Sequence, residues 1–314
     1  MENRALWFRS FGRPVDVLRL ETTRLTDRPT GSLRVRLAAA PINPSDLIPI
    51  TGAYRHRVFP PLVAGYEGLG IVIDADDDHR ALIGRRVLPL RGPGTWQQVV
   101  DGDPRWAVAV PDDVDDALAA RGYINPLAAH LMLKRWPAAG RRVLLTAAGS
   151  SCADLLAQWA VAAGAREVVG IYRSETRAPS LRKLGVTPID LRDAARVTAS
   201  ASRADLVFDA VGGPLGTAIL NALRADADFV AYGLLSGEPI TAAPRAVSPQ
   251  RFHLRDMLDA TDEQQWQGWF RELWPLLRAA TLPAVTSFPM TEWKQALALF
   301  DSAGRSSKPL LLME

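Results

Sequence analysis

Residues 143–173 constrain the fold of this chain more than any other stretch. Val143-Leu144-Leu145 is a short apolar run, and Thr146-Ala147-Ala148-Gly149-Ser150-Ser151-Cys152 interrupts it with small residues. Leu155, Leu156, Trp159, Ala160 and Ala163 follow at helical spacing. Gly164 stops the helix, and Val168-Val169-Gly170-Ile171 begins a second apolar run. Strand, small-residue turn, helix, glycine stop and strand make a βαβ unit of about 30 residues. Small side chains in such a turn let a helix N-terminus approach a pyrophosphate with its backbone N–H groups outward. The glycine fingerprint is incomplete, because Ser150, Ser151 and Ala153 stand where glycine would serve best. Taken alone, the turn reads equally as a dinucleotide site or as an ordinary βα turn.

The end of the second run sharpens this. An NAD site usually carries Asp or Glu there, on the ribose 2′-hydroxyl. This chain has Tyr172-Arg173-Ser174, with Arg177 close behind. A guanidinium suits a 2′-phosphate as a bidentate donor, so a dinucleotide here is expected to be NADPH. The plainer reading of Arg173 is a solvated strand end.

The chain has 314 residues, room for about two domains. Its formal net charge of +3 is spread over scattered arginines, which argues against nucleic acid as a partner. Cys152 is the only cysteine, so neither an internal disulfide nor a cysteine-built zinc site can form. That fits a reducing, cytoplasmic setting. No run reaches the ~18 apolar residues of a membrane span, and no membrane partner is expected.

Leu33-Arg34-Val35-Arg36-Leu37 alternates like a half-buried strand. Pro41-Ile42-Asn43-Pro44-Ser45-Asp46 is a loop with Ser45 or Asp46 as the expected N-cap of a short helix. Short strands and Gly/Pro-rich turns before residue 115 predict a small β-barrel-like domain. From Asp112 to about 260, helices alternate with strand candidates at 143–145, 168–171, 205–209 and 228–234, which predicts a doubly wound parallel sheet. The stretch 262–314 reads as two helices with short strands that return to the first domain. The expected division is therefore 1–120 with 262–314, and 121–261. Trp266, Trp269, Phe270, Leu273 and Trp274 share one helical face and read as core.

This order resembles the medium-chain dehydrogenase/reductase superfamily along the whole chain. Pro41-Ile42-Asn43-Pro44-Ser45-Asp46, Gly52-Ala53-Tyr54, Gly65-Tyr66-Glu67-Gly68 and the C-terminal Ser306-Ser307-Lys308-Pro309 block resemble its zinc-free quinone oxidoreductase and 2-enoyl thioester reductase branch. The fold implied is a GroES-like β-barrel catalytic domain plus a Rossmann domain. Zinc-dependent members place cysteine where Asn43 stands, histidine where Tyr66 stands, and a further cysteine near Ile124. None of these is present, and the resemblance implies no metal.

The resemblance also assigns cofactor contacts to NADPH. They are Asn125; Ala148, Gly149, Ser150 and Ser151 in the phosphate turn; Arg173 on the 2′-phosphate; Tyr232, Gly233, Leu234 and Leu235 along the nicotinamide; Phe252, His253 and Leu254 between cofactor and substrate; and Lys308. A second family arginine falls on or near Glu175. Relatives are often dimers, so a homodimer is implied, with Phe229 to Leu235 as a candidate surface.

Reduction of a C=C conjugated to a carbonyl sends hydride to the β-carbon and charge to the carbonyl oxygen. That oxygen needs a donor already in place. A phenol stays protonated at neutral pH, and Tyr54 matches the tyrosine given this role in the enoyl reductases. Its other reading is loop packing. Asn43 either orients cofactor or substrate or serves its turn. Glu67 reads as a buried structural carboxylate and Asp46 as a cap. Cys152 sits at a helix start, where a thiol pKa can fall, but most lone cysteines are inert. The favoured substrate is a 2-enoyl thioester on CoA or an acyl carrier protein. A quinone, enone or enal is the alternative. A catalytically lapsed NADPH-binding sensor is the reading of another class.

Overall fold

A computed structural model of the protein describes residues 2–243 and 247–314. The chain divides into two units: Met1–Ile124 with Asp262–Ala279 and Pro283–Glu314, and Asn125–Thr261 with Ala280–Leu282. The first division thus falls at Ile124 rather than at residue 120, and three residues of the last stretch join the second unit.

In the first unit, Glu2–Phe8 lies between Leu18–Arg24 and Leu62–Val63 in an antiparallel sheet. A seven-stranded sheet runs in the order Ala284–Pro289, Ser307–Leu312, Leu33–Pro41, Leu69–Asp74, Arg86–Pro89, Ala107–Ala109, with Val99–Gly102 also paired to Leu33–Pro41. Leu33, Val35 and Leu37 point inward at 1%, 0% and 2% exposure, as their alternation requires. Ser307–Leu312 pairs with Ala284–Pro289 on one side and Leu33–Pro41 on the other, so the C-terminal stretch completes the N-terminal sheet. On the helix Glu263–Ala279, the apolar face is core as expected: Trp266 is fully buried and packs against Tyr123 at 5.7 Å between ring centroids.

The second unit is a six-stranded parallel sheet. Its order is Thr187–Asp190, Glu167–Tyr172, Arg142–Leu145, Leu206–Asp209, Asp228–Ala231, Gln250–Arg251. Strand order reverses beside Arg142–Leu145, and this topological switch point is where open α/β sheets bind ligands at their carboxyl ends. The helix Ser151–Ala162 ends as its sequence demands. Gly164 adopts φ +80° and donates to the Val161 carbonyl, while the Ala165 N–H reaches the Ala160 carbonyl.

Two expectations are corrected. The strand Thr187–Asp190 was not foreseen, because Pro188 argues against a ladder; it is tolerated at the sheet edge. The strand expected at 228–234 ends at Ala231, where the Tyr232 N–H turns to the Asp209 carbonyl.

Candidate active site

The turn at 146–150 joins the strand Arg142–Leu145 to the helix Ser151–Ala162. Ala147 and Gly149 take φ +48° and +96°, and Ser150 caps the helix Ser151–Ala162 by accepting from the Ala153 N–H. A Cβ on Gly149 would stand 2.8 Å from Arg177 Cδ, so only glycine fits here. Room for Ala148 comes from the neighbouring strand: a Cβ on Gly170 would lie 2.8 Å from the Ala148 Cβ. The one glycine inside the run 168–171 was the available signal for this. Asp154 is buried and accepts from the Gly149 N–H; burial pushes its carboxyl up to about 6 against the pull of Arg177.

Below the turn, Thr146 and Asp209 are fully buried. The Thr146 hydroxyl donates to Asp209 Oδ1 at 2.6 Å and accepts from the Ala210 N–H, and Asp209 also accepts from the Val211 and Gly212 N–H groups. This network, which sequence reasoning missed, fixes the loop after Leu206–Asp209 at the switch point. An aspartate closing the apolar run 206–208 was its only trace.

Arg173 is exposed beyond the strand Glu167–Tyr172, with no ion pair among the described residues. Glu175, which would oppose a nearby phosphate, is tied to Arg192 at 2.8 Å, and Arg192 also holds Asp190. Asn125 lies in the first turn of the helix Ile124–Arg135. The Tyr232 phenol is pushed well up by burial, with the charges of Cys152 and Asp209 adding to the effect. Cys152 itself is buried. Gly233 packs its Cα face on Ala210, and Leu234 and Leu235 are 55% and 56% exposed. Phe252 is core, stacked edge-on to Trp136, and His253 precedes the short helix Leu254–Leu258. These turn, strand-end and exposed-arginine features fit a phosphorylated dinucleotide on the second unit.

In the first unit a charged network lies almost wholly out of water. Asn43, Asp46, Glu67 and Lys308 are 0%, 2%, 1% and 7% exposed. Lys308 Nζ donates to Asn43 Oδ1, and Asn43 Nδ2 donates to Glu67 Oε1 at 2.6 Å. Glu67 Oε2 accepts from the Tyr123 and Ile124 N–H groups at 3.1 and 2.8 Å. Asp46 accepts from the N–H groups of Asn43 and Tyr66 at 2.7 and 2.8 Å. The N-cap of Pro44–Leu47 is therefore Asn43, with Asp46 at the third helical position of a capping box, rather than Ser45 or Asp46 itself. Asn43 and Lys308, expected at substrate or cofactor, both take part in this network. The donor set does not suit zinc, because an ammonium occupies Asn43 and backbone N–H groups occupy both carboxylates.

Two acids and one base share this space. Burial pushes Asp46 up to about 7, with help from the Glu67 charge and against the Asn43 and Tyr66 N–H groups and Lys308. Burial also raises Glu67, opposed first by Lys308. Lys308 is pushed down to about 8 by burial, against the attraction of Glu67 and Asp46 and with a small push from Arg121 and Arg305. The folded state thus keeps the Asp46 proton where the unfolded chain, near pH 4, has released it. That contribution is full below pH 4 and is lost as pH rises through about 7. Relative to Asp46→Asn, the wild-type unfolding free energy is expected to fall across this window by up to ~1.4 kcal/mol per pH unit. Urea denaturation at stepped pH measures it, and parallel curves would refute the assignment.

Tyr54 sits on the turn at 51–57, half-buried against the first unit's core. The Arg57 guanidinium lies 4.2 Å over its ring and His56 meets it edge-on at 6.3 Å.

Residues 153–273 match the family model described as zinc-binding dehydrogenase, and residues 29–112 match the alcohol dehydrogenase GroES-like domain. The chain is 28% identical over 343 residues to the mitochondrial enoyl-[acyl-carrier-protein] reductase of Xenopus tropicalis, covering 99% of this chain and 95% of that protein. The corresponding Homo sapiens protein is 28% identical over 331 residues, covering 99% of this chain and 88% of its own length. The crystal structure of a putative NADPH:quinone reductase from Bacillus thuringiensis superposes with a TM-score of 0.92 at 34% identity, covering 99% of each chain.

Proposed function

This chain belongs to the zinc-free branch of the medium-chain dehydrogenase/reductase superfamily, and from that premise we propose that it is an NADPH-dependent oxidoreductase that reduces a C=C conjugated to a carbonyl, with a 2-enoyl thioester as substrate. NADPH supplies the hydride. Ala148, Gly149, Ser150 and Ser151 hold its pyrophosphate, Arg173 its 2′-phosphate, and Asn125 and the segment Tyr232–Leu235 its nicotinamide end. Hydride would add to the β-carbon, the π electrons would move to the carbonyl oxygen, and a proton from solvent would add to the α-carbon as the carbonyl re-forms. Tyr54 donates to that oxygen.

The observation that carries the thioester reading is full-length likeness to enoyl reductases together with Tyr54 held on an ordered turn. Likeness to the putative quinone reductase supports the second reading, a quinone as acceptor. NADPH oxidation with crotonyl thioester and then with a quinone separates them. Tight NADPH binding without turnover of either would identify a lapsed sensor and refute both. A cytoplasmic setting, supported by the single buried Cys152, and a homodimer through the exposed Leu234 and Leu235, belong to the same proposal.

Arg173→Gln is expected to raise the KM for NADPH about tenfold and leave that for NADH in place, since one charge-assisted, bidentate contact is worth ~1.5–3 kcal/mol. Steady-state kinetics with each coenzyme checks this. Equal changes for both would assign Arg173 to solvent.

A further inference from the structure

We propose that the basic loop beside Tyr54 recognises the phosphate of the arm that carries the thioester, a site that rests on the thioester reading above. Arg55, His56 and Arg57 follow Tyr54 directly, and no Asp or Glu occurs between Asp46 and Glu67. Several other arginines of the first unit are neutralised, among them Arg28 by Asp74 and Asp76 and Arg34 by Asp101. Arg55, His56 and Arg57 have no ion pair among the described residues. The loop is nonetheless ordered. Arg55 Nε donates to the Gly52 carbonyl at 3.1 Å, and Arg57 stacks on the Tyr54 ring with its Nε buried and without a hydrogen-bond partner among the described residues. Arg55 and His56 stay exposed, and Phe59, 70% exposed, adds an apolar surface to the same loop.

Adjacent like charges repel, and an anionic phosphate relieves that repulsion by accepting from guanidinium N–H groups in pairs. The substrate class decides what the phosphate belongs to. A quinone or a free enone has none. A thioester on CoA or on a carrier protein hangs from a pantetheine arm that ends in one. Arg55, His56 and Arg57 adjoin Tyr54, the proposed carbonyl donor, so an arm leaving the carbonyl over this loop would bring its phosphate to them, and their field acts within a Debye length of ~8 Å even before contact.

The test compares kcat/KM for crotonyl-CoA, crotonyl-4′-phosphopantetheine and the phosphate-free crotonyl-N-acetylcysteamine thioester, using the full chain. Arg55→Glu is expected to lower the crotonyl-CoA to N-acetylcysteamine ratio about tenfold, and Arg55→Lys to restore most of it. His56→Glu serves as a second variant should Arg55→Glu lose its fold. A fall shared by phosphopantetheine identifies the arm's own phosphate. A fall confined to CoA identifies the phosphates of its nucleotide. A ratio unmoved by charge reversal and by added salt overturns the site alone. A wild-type chain that reduces none of the thioesters overturns the thioester reading, and the site with it.

Discussion

Tyr54→Phe is expected to lower kcat for crotonyl thioester reduction about 10²–10³-fold, the usual loss when one oxyanion donor is removed. The substitution takes away one oxygen and keeps the ring. Packing against the first unit's core and the stacking of Arg57 at 4.2 Å both survive, so the thermal midpoint should hold. NADPH affinity should hold as well, because the proposed cofactor contacts are elsewhere. This pattern of lost rate, kept fold and kept binding is one that loop packing cannot produce. A variant that keeps its rate on thioesters would return Tyr54 to a structural role, and unaltered quinone turnover beside dead thioester turnover would confine it to carbonyl chemistry.

Lys308→Met is the second large effect, and it falls on stability. The side chain is of similar length and apolar, so volume is nearly kept while the ammonium goes. Glu67 and Asp46 then face each other without the Lys308 cation, and Asn43 Oδ1 loses the Lys308 donor. Lys308 offsets these carboxylates through Asn43 and through space rather than in a direct ion pair; leaving a buried carboxylate uncompensated is expected to cost on the order of the ~3–5 kcal/mol lost when one partner of a buried pair is removed. The deficit should be largest at pH 8 and shrink toward pH 5, as the already raised carboxyls of Asp46 and Glu67 take up protons and shed their charge. Lys308→Met with Glu67→Gln should recover part of the loss, since the double variant removes the stranded charge. Urea denaturation at both pH values reads all of this, and a Lys308→Met curve that overlays the wild type at pH 8 would remove the network from any account of stability.

The parts of the fold that could be read in advance are those whose cause is local. Leu33, Val35 and Leu37 alternate because a strand does. Gly164 ends its helix because only glycine takes that φ without strain. The aromatic face of 266–274 is core because helical spacing gathers it. The strand at Thr187–Asp190 went unseen because Pro188 is ruled out of a central strand, and an edge position is a tertiary fact. The network around Asn43 was hidden for the same reason on a larger scale: it joins residues 265 apart in sequence, and neither a lone lysine near the C-terminus nor an asparagine between prolines announces the other. Asp209 and Thr146 were likewise invisible as a pair, although each sits where an apolar run breaks.

The strand Ser307–Leu312 has an implication for how the protein is made. It fills the gap between Ala284–Pro289 and Leu33–Pro41, and it brings the cation that the acids at 46 and 67 require. The nucleotide-type unit is nearly contiguous in sequence and can be complete while translation continues. The sheet around Leu33–Pro41 cannot be completed until Ser307–Leu312 has left the ribosome, a wait on the order of ten seconds or more at ~5–20 residues per second. A chain without Ser307–Leu312 therefore lacks an interior strand of that sheet and the buried cation beside Glu67 and Asp46.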